Sequence, residues 1–393
     1  MRVLVVTNDL PPRVGGIQYY VDQLGRGLVS AGDEVVLLGS SSEGADAFDR
    51  TAPYEVVRER TPVLLPTPTV ARHATRLVEA VGADVVLFGA AFPLGILAGP
   101  IAERAGVPSL GFTHGLEVSA TRMPGGSAML RAIGNRLAAV TYVSHWCEEH
   151  LRGAFGPVPD HHLLPPAVEP GEFHGAVSGD AVRDRHGIGS APLVVCVSRL
   201  VERKGQDTLI DCLPRWRREV PGTKLMIVGD GPHRGSLQRR AADRGVSEHV
   251  VFTGQVPGPE LPQHYAAADV FAMPCRERHR GREVEAFGIV FIQAQAVGVP
   301  VVAGGIGGVP DAVRDGETGL LVDGTDPDAV ADAVGSLLSD PDRSSAMGRL
   351  GAQWCAREFS WHARTRELRG ILAGLDGPAT GPAGTQSFDS APV

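Results

Sequence analysis

Two cations stand close together in the stretch "SRLVERKGQD", residues 198–207: Arg199 and Lys204. They follow the apolar run "LVVCVS" (193–198), which reads as a strand buried on both faces. In open α/β sheets, ligands are met beyond the carboxyl ends of the strands. A cation pair at such an edge suits a diphosphate. Arginine clamps phosphate oxygens with a planar fork, and lysine brings a compact point charge. Of the 37 basic residues, only Lys204 and Lys224 are lysines. An ammonium on a flexible stem reaches an oxygen that a guanidinium cannot approach, which gives Lys204 a reason to differ. Lys224 opens a strand and reads as a solvated edge residue.

Other residues fall on the same kind of edge. After the first strand, "TNDLPPRVGGIQ" carries Asp9, a potential hydrogen-bond acceptor, and then Gly15 and Gly16 before a helix expected to begin near Ile17. A glycine-rich loop at a helix start exposes backbone N–H groups to an anion, although the pair serves a plain turn as readily. "FTHGLE" puts His114 at the end of a strand; an isolated histidine is structural as often as functional. "VGDGPHRG" (228–235) has Gly229, Gly231 and Gly235 in a spacing that breaks the dinucleotide fingerprint, and no acidic residue ends a following strand at the distance ribose binding requires. It reads as a strand-to-helix loop near a nucleotide, and an oxidoreductase is disfavoured. In "EVEAFGIVFIQAQAVGVPVVAGGIGGVPD" (283–311), Glu285 precedes a helix expected from about Gly288 to Ala296, where the macrodipole alone favours a carboxylate. Glycines 304–308 make a second possible anion nest. "DPDAV" (326–330) reads as a helix cap rather than a metal site.

Positioning these loops requires parallel, doubly wound sheets. Ten continuous apolar runs read as strands, at 2–7, 34–39, 84–89, 108–113 and 139–144, then 193–198, 224–229, 249–254, 269–274 and 300–305, with helical patterns between them. They predict two Rossmann-like domains facing each other across a cleft. The expected division is 1–170 for an N-terminal domain and 171–355 for a C-terminal domain. A helix at 356–373 would return to the first domain, and a low-complexity tail at 374–393 would be disordered. Residues 85–102 carry no charge, but Gly89, Pro93 and Pro100 interrupt the run, so a strand, a turn and a helix are expected in place of a membrane span. A net charge of −8 excludes nucleic-acid binding as the first reading. The five cysteines have no C-x-x-C pair, which fits a reducing cytoplasm without a zinc site or disulfide framework. The N-terminal apolar run is too short for a signal peptide.

Taken together, Gly15-Gly16-Ile17, "SRLVERKGQD", "VGDGP", "AAADVFAMP" and the Glu285 segment resemble retaining glycosyltransferases of family 4, with the GT-B architecture. The resemblance covers residues 1 to about 372. With "LPTPT", "FGAAFPL", "THGLE" and "RMPG" it is closer still to the actinobacterial phosphatidylinositol mannoside mannosyltransferases that add the second mannose. It implies GDP-mannose as donor, a lipid-linked acceptor, no metal and no further cofactor, with 1–170 as the acceptor-side domain and 171–355 as the nucleotide-sugar-binding domain. Arg199 and Lys204 would hold the donor diphosphate, His114 would meet the transferred sugar near its primary hydroxyl, and Glu285 would lie beside the sugar and the leaving phosphate. Gly15, Gly16, Ile17, Gly229, Gly288, Ile289, Val290 and Gln293 complete the expected donor side, with Asp9 and Gln18 on the acceptor side.

The chain departs from that family at three places. Gln293 stands where relatives carry a second glutamate that accepts ribose hydroxyls. "RERHRGRE" replaces a glycine-rich loop, and its Arg276, Arg278, Arg280 and Arg282 are candidates for an anionic acceptor or for a solvated loop. Ala167-Val168-Glu169 replaces Gly-Val-Asp. These departures keep open a family 4 enzyme using another nucleotide sugar and a different lipid or small-molecule acceptor. In 122–140, a helix with Met129, Leu130, Ile133 and Leu137 on one face suits either a membrane surface or packing on its own domain. The expected place is the cytoplasm, with peripheral contact to the inner face of the plasma membrane as the stronger form of that expectation.

Overall fold

A computed structural model describes residues 1–279 and 281–375. The expected tail lies outside the described residues from 376 onward. The chain divides into two compact units. The first takes Met1–Thr141, His150–His162 and residues from Arg369 on; the second takes Tyr142–Glu149 and Leu163–Leu368.

The first unit is built on seven strands: β1 Arg2–Thr7, β2 Glu34–Ser40, β3 Glu55–Glu59, β4 Val85–Phe88, β5 Ser109–Thr113, β6 Ala139–Tyr142 and β7 Asp160–Leu163, in the spatial order β3-β2-β1-β4-β5-β6-β7. The pairs β1–β2, β1–β4, β2–β3 and β4–β5 run parallel. The second unit has six strands: β8 Leu193–Val197, β9 Lys224–Val228, β10 Val250–Gly254, β11 Val270–Met273, β12 Val301–Gly304 and β13 Gly319–Val322, in the order β10-β9-β8-β11-β12-β13. Its neighbouring strands also pair in parallel.

Central strands such as "VVLF" in β4 and "LVVCV" in β8 are buried at every residue. Helices cover both faces of a parallel sheet, so an apolar side chain pointing either way leaves water, which stabilises by roughly 1.5–3 kcal/mol for each fully buried Val or Leu. All ten expected strands are present. The three unanticipated ones, β3, β7 and β13, lie at sheet edges and are half-exposed along most of their length. An edge strand has one covered flank and needs no continuous apolar run, so "EVVRE" and "DHHL" carry little signal.

Both sheets reverse direction at the pair formed by their first and fourth strands, β1/β4 and β8/β11. Loops leaving these strands diverge and open a crevice at the carboxyl edge. Gly205 lets the loops after β8 and β11 meet closely. It adopts φ +76°, and a Cβ there would lie 2.2 Å from the carbonyl oxygen of Pro274. No helix among the described residues is long and apolar enough to cross a membrane. The uncharged run 85–102 folds as β4, a short 3-10 turn Leu94–Leu97 and the helix Ala98–Ala105.

Candidate active site

In the second unit, the loop after β8 and the start of the helix Gln206–Glu219 that follows it deliver four polar side chains. Gln206, 1% exposed, donates Nε2–H to Ser198 Oγ (2.8 Å) and to the Arg199 carbonyl (3.1 Å), fixing the backbone that carries Arg199. The Arg199 guanidinium is exposed and has no ion-pair partner among the described residues. Lys204 is buried, and its Nζ donates to Glu285 Oε2 at 2.5 Å. The neighbouring Arg203 donates Nη1–H to the same oxygen at 2.7 Å. Burial alone would raise the Glu285 pKa. The charges of Lys204 and Arg203, and the hydrogen bonds they give, outweigh it and hold the carboxyl below its ordinary range.

Glu285 comes from the loop after β11, three residues before Gly288 caps the helix Ile289–Ala296, and so lies outside the helix. Its backbone is held by the glycine loop after β12. Gly308 N–H donates to the Glu285 carbonyl at 2.9 Å, and a Cβ at Gly307 would fall 2.2 Å from that oxygen. Gly307 and Gly308 are thus packed against residues 285–286, while Gly304 packs on Cys275. The Ile289–Ala296 helix has no side-chain cap, so the first N–H groups at Ile289 and Val290 are left for a ligand or water. Gly229 ends β9 at φ +126°, packed on the Ser198 carbonyl beside the Arg199 loop.

Two expectations in this unit change. The arginine loop is already engaged. Arg276 binds Asp207 (2.7 Å) and Thr208 (3.0 Å), and Arg278 pairs with Glu202. Arg282 also has a partner, and Arg280 lies outside the described residues. Arg276 and Arg278 are bound within their own unit, because Asp207 and Glu202 lie within reach of their guanidinium groups. Lys224 is likewise no free edge residue, since its Nζ donates to the Gly187 carbonyl at 2.6 Å. Gln293 is 6% exposed, and its Oε1 accepts the O–H of buried Tyr265 at 2.8 Å.

In the first unit, the Gly16–Ser30 helix begins one residue earlier than expected. Gly15 is its N-cap, with no side-chain cap and no acidic residue in the first turn. Gly15 and Gly16 are exposed, leaving an open, electropositive helix start. Asp9 and Gln18 come together across this loop, Gln18 Nε2 donating to Asp9 Oδ1 at 2.7 Å. Burial raises the Asp9 pKa, and Arg13 opposes the rise.

His114 follows β5. Its Nε2 lies 2.7 Å from the Gly89 carbonyl, which can only accept, so that nitrogen carries the proton and Nδ1 is left as an acceptor. Tyr20 packs edge-on at 5.1 Å. Burial brings the imidazole pKa down to about 4, so the ring is neutral near pH 7. Glu117 is fully buried and accepts the His114 backbone N–H on Oε2 (3.1 Å), while its Oε1 has no partner. Burial pushes its carboxyl up to about 7 against the pull of four backbone N–H groups, those of Glu117, His114, Phe92 and Gly115.

The segment 122–140 forms a helix only over Gly126–Gly134. Leu130, Ile133 and Leu137 turn into the unit's core, and of the four apolar residues only Met129 is exposed. Burial of three of the four removes most of the apolar face that a membrane surface would have met.

Arg203, Glu117 and Tyr265 are the residues that reasoning from sequence missed. Arg203 sat beside Lys204, and Glu117 sat three residues after His114. Nothing local links Tyr265 to Gln293.

Comparison with known proteins adds the following. The family described as "Glycosyltransferase Family 4" matches residues 14–172, and "Glycosyl transferases group 1" matches 180–354. A GDP-mannose-dependent α-(1-6)-phosphatidylinositol monomannoside mannosyltransferase of Mycolicibacterium smegmatis is 48% identical over 95% of this chain and 98% of its own length. A GDP-mannose-dependent monoacylated α-(1-6)-phosphatidylinositol monomannoside mannosyltransferase of Corynebacterium glutamicum is 40% identical over 94% of this chain and 97% of its own. Among solved structures, sucrose-phosphate synthase of Thermosynechococcus elongatus superposes with a TM-score of 0.81 at 23% identity, covering 95% of this chain and 98% of that one. Anabaena HepE in complex with UDP and glucose gives 0.80 at 17%, covering 95% and 99%. At such identities these structures speak to the fold alone, two Rossmann-like units of the GT-B type.

Proposed function

The chain belongs to glycosyltransferase family 4, and on that premise we propose that it moves mannose from GDP-mannose to a phosphatidylinositol mannoside, retaining the anomeric configuration and needing no divalent cation. The observation that carries this reading is 48% identity, over 95% of the chain, with a protein named for that activity.

The chemistry assigned to each residue follows from its surroundings. As the bond from the sugar C1 to the phosphate oxygen breaks, negative charge grows on the diphosphate. Arg199 has no competing carboxylate among the described residues, and Lys204 pairs with Glu285 Oε2; both follow β8 at the carboxyl edge of its sheet, where preorganised cations would lower the barrier. In the first unit, the uncapped start of the Gly16–Ser30 helix presents N–H groups with a partial positive charge, suited to an anion. The acceptor hydroxyl attacks C1 on the face the phosphate leaves, and its proton passes to the departing phosphate oxygen. Neutral His114 offers Nδ1 to a sugar hydroxyl; with a pKa of about 4 it is an acceptor of a hydrogen bond, not a proton donor, near pH 7. Asp9 and Gln18 are assigned to the acceptor.

The membrane reading now rests on a different observation from the one first expected. Among the described residues, every exposed large apolar side chain except Leu350 lies in the first unit, including Val63, Leu65, Leu116, Met123 and Met129. That distribution supports a peripheral lipid-facing role for the first unit. A second reading, another nucleotide sugar with a different acceptor, is favoured by Gln293 alone.

Purified protein offered GDP-, UDP- and ADP-sugars with lipid and soluble inositol mannosides, read by mass spectrometry, tests the proposal. Mannosylated lipid from GDP-mannose, unchanged by excess EDTA, is the expected product. Transfer from another nucleotide sugar only, or EDTA loss restored by magnesium, sinks the corresponding part.

A further inference from the structure

Glu285 is held by two cations, and both act on one oxygen. Lys204 Nζ and Arg203 Nη1 converge on Oε2, and no described residue is bonded to Oε1. The Glu285 side chain is 11% exposed, that of Lys204 11% and that of Arg203 27%. A second set of bonds keeps Arg203 in register with the carboxylate. Its own carbonyl accepts the Arg276 backbone N–H at 2.8 Å. The Arg276 guanidinium is anchored on Asp207 and Thr208, and Arg278 on Glu202. The loop after β11 is therefore fastened to residues 202–208, with Arg203 facing Glu285 at the fastening point.

One carboxylate with two cations is more than pairing requires. The surplus makes sense if one cation has a second partner. A diphosphate is a stronger attractor for an ammonium than a single carboxylate, and Lys204 is the cation assigned to it above. When Lys204 turns to phosphate, a nearly buried Glu285 left alone would take up a proton, because an isolated buried carboxylate is costly. We infer that Arg203 is a positioning residue that keeps Glu285 ionised and in place when Lys204 is released to a nucleoside diphosphate, leaving Oε1 free for the ligand. Among the described residues, the groups that face Glu285 are Lys204, Arg203 and the thiol of Cys275. Burial pushes that thiol up to about 12, so it stays neutral throughout the working range.

The inference rests on the proposed function for the identity of the released cation's partner. The test therefore uses nucleoside diphosphate binding rather than turnover. Full-length wild type, Arg203→Gln, Arg203→Lys, Glu285→Gln and the Arg203→Gln/Glu285→Gln double variant are titrated calorimetrically with GDP at pH 6. Two buffers of different ionisation enthalpy report the protons taken up on binding. Wild type and Arg203→Lys are expected to show the same proton exchange, that of the GDP terminal phosphate, whose second ionisation lies at about pH 6. Arg203→Gln is expected to take up, beyond that, a fraction approaching about one proton per GDP bound, as Glu285 protonates. The double variant should lose that uptake, which assigns the proton to Glu285. Circular dichroism checks each fold, and Arg203→Lys keeps the test alive if Arg203→Gln does not fold, since a lysine that cannot suppress uptake overturns the inference equally well. Uptake by Arg203→Gln equal to that of wild type refutes the inference. So does loss of GDP binding in Arg203→Gln, which would make Arg203 a phosphate ligand. Failure of wild type to bind GDP while binding UDP or ADP strikes the donor assignment instead, and the proton measurement is then made with that nucleotide.

Discussion

The first six strands of each unit follow one sheet order, and the site chemistry of the two units is opposite. The crevice loops of the second unit gather full charges: Arg199, Arg203, Lys204 and Glu285, with Arg–carboxylate pairs behind them. The loops of the first unit offer uncharged or muted groups: a neutral His114, a Glu117 that titrates near pH 7, and an uncapped helix start. The scaffold sets where ligands are met in each unit; the loop sequences set what kind. Opposed full charges suit a diphosphate, whose charge grows during transfer. Neutral hydrogen-bond partners suit sugar hydroxyls, which carry none.

The largest effect should come from the charged side of this comparison. Lys204→Ala and Arg199→Ala should each lower transfer by on the order of 100-fold or more while leaving the circular dichroism spectrum intact, since removing a preorganised stabilising group commonly costs several kcal/mol. Lys204→Arg should be impaired as well. A planar guanidinium does not reproduce the compact ammonium that meets Glu285 Oε2 and that is proposed to turn to a phosphate. Near wild-type rates in any of these variants would break the contrast between the two units.

A smaller effect should mark the muted side. The folded-state pKa of Glu117 is raised from 4.5 to about 7. The group therefore contributes stability that is fully present below pH 4.5 and is lost as the pH rises through about 7. Glu117→Gln cannot ionise, so its melting temperature relative to wild type should climb between pH 5 and pH 8, by an amount corresponding to at most roughly 3 kcal/mol. A constant difference across that range would show that burial does not raise the Glu117 carboxyl above its ordinary range.

The smallest effect concerns Gln293. The hydroxyl of Tyr265 already donates to its Oε1, and a carboxylate would accept the same bond with charge assistance. Gln293→Glu should strengthen GDP binding by a factor of about two to ten. Weaker GDP binding by the variant, with UDP or ADP preferred by wild type, would favour the second reading of the donor.

Much of this protein follows from its sequence. Central strands declare themselves because burial on both faces demands an unbroken apolar run, and that demand is local; "LVVCV" and "VVLF" need no context. Strand order then places Arg199, Lys204, His114 and Glu285 in loops at carboxyl edges, and each is found there. Tertiary structure alone decided what these groups do to one another. Edge strands β3, β7 and β13 exist because a neighbour supplies hydrogen bonds, not because their own residues require burial. Arg276 and Arg278 look like free cations until Asp207 and Glu202 are brought beside them. Arg203 is one residue from Lys204, but its meaning depends on Glu285, 82 positions away. Tyr265 and Gln293 meet only because β11 separates them in the chain and returns the helix after it to the helix before it. Hydrophobic patterning is carried residue by residue along the chain. Pairing of charges and polar groups depends on distances of a few ångströms between distant segments, and only the folded chain sets those.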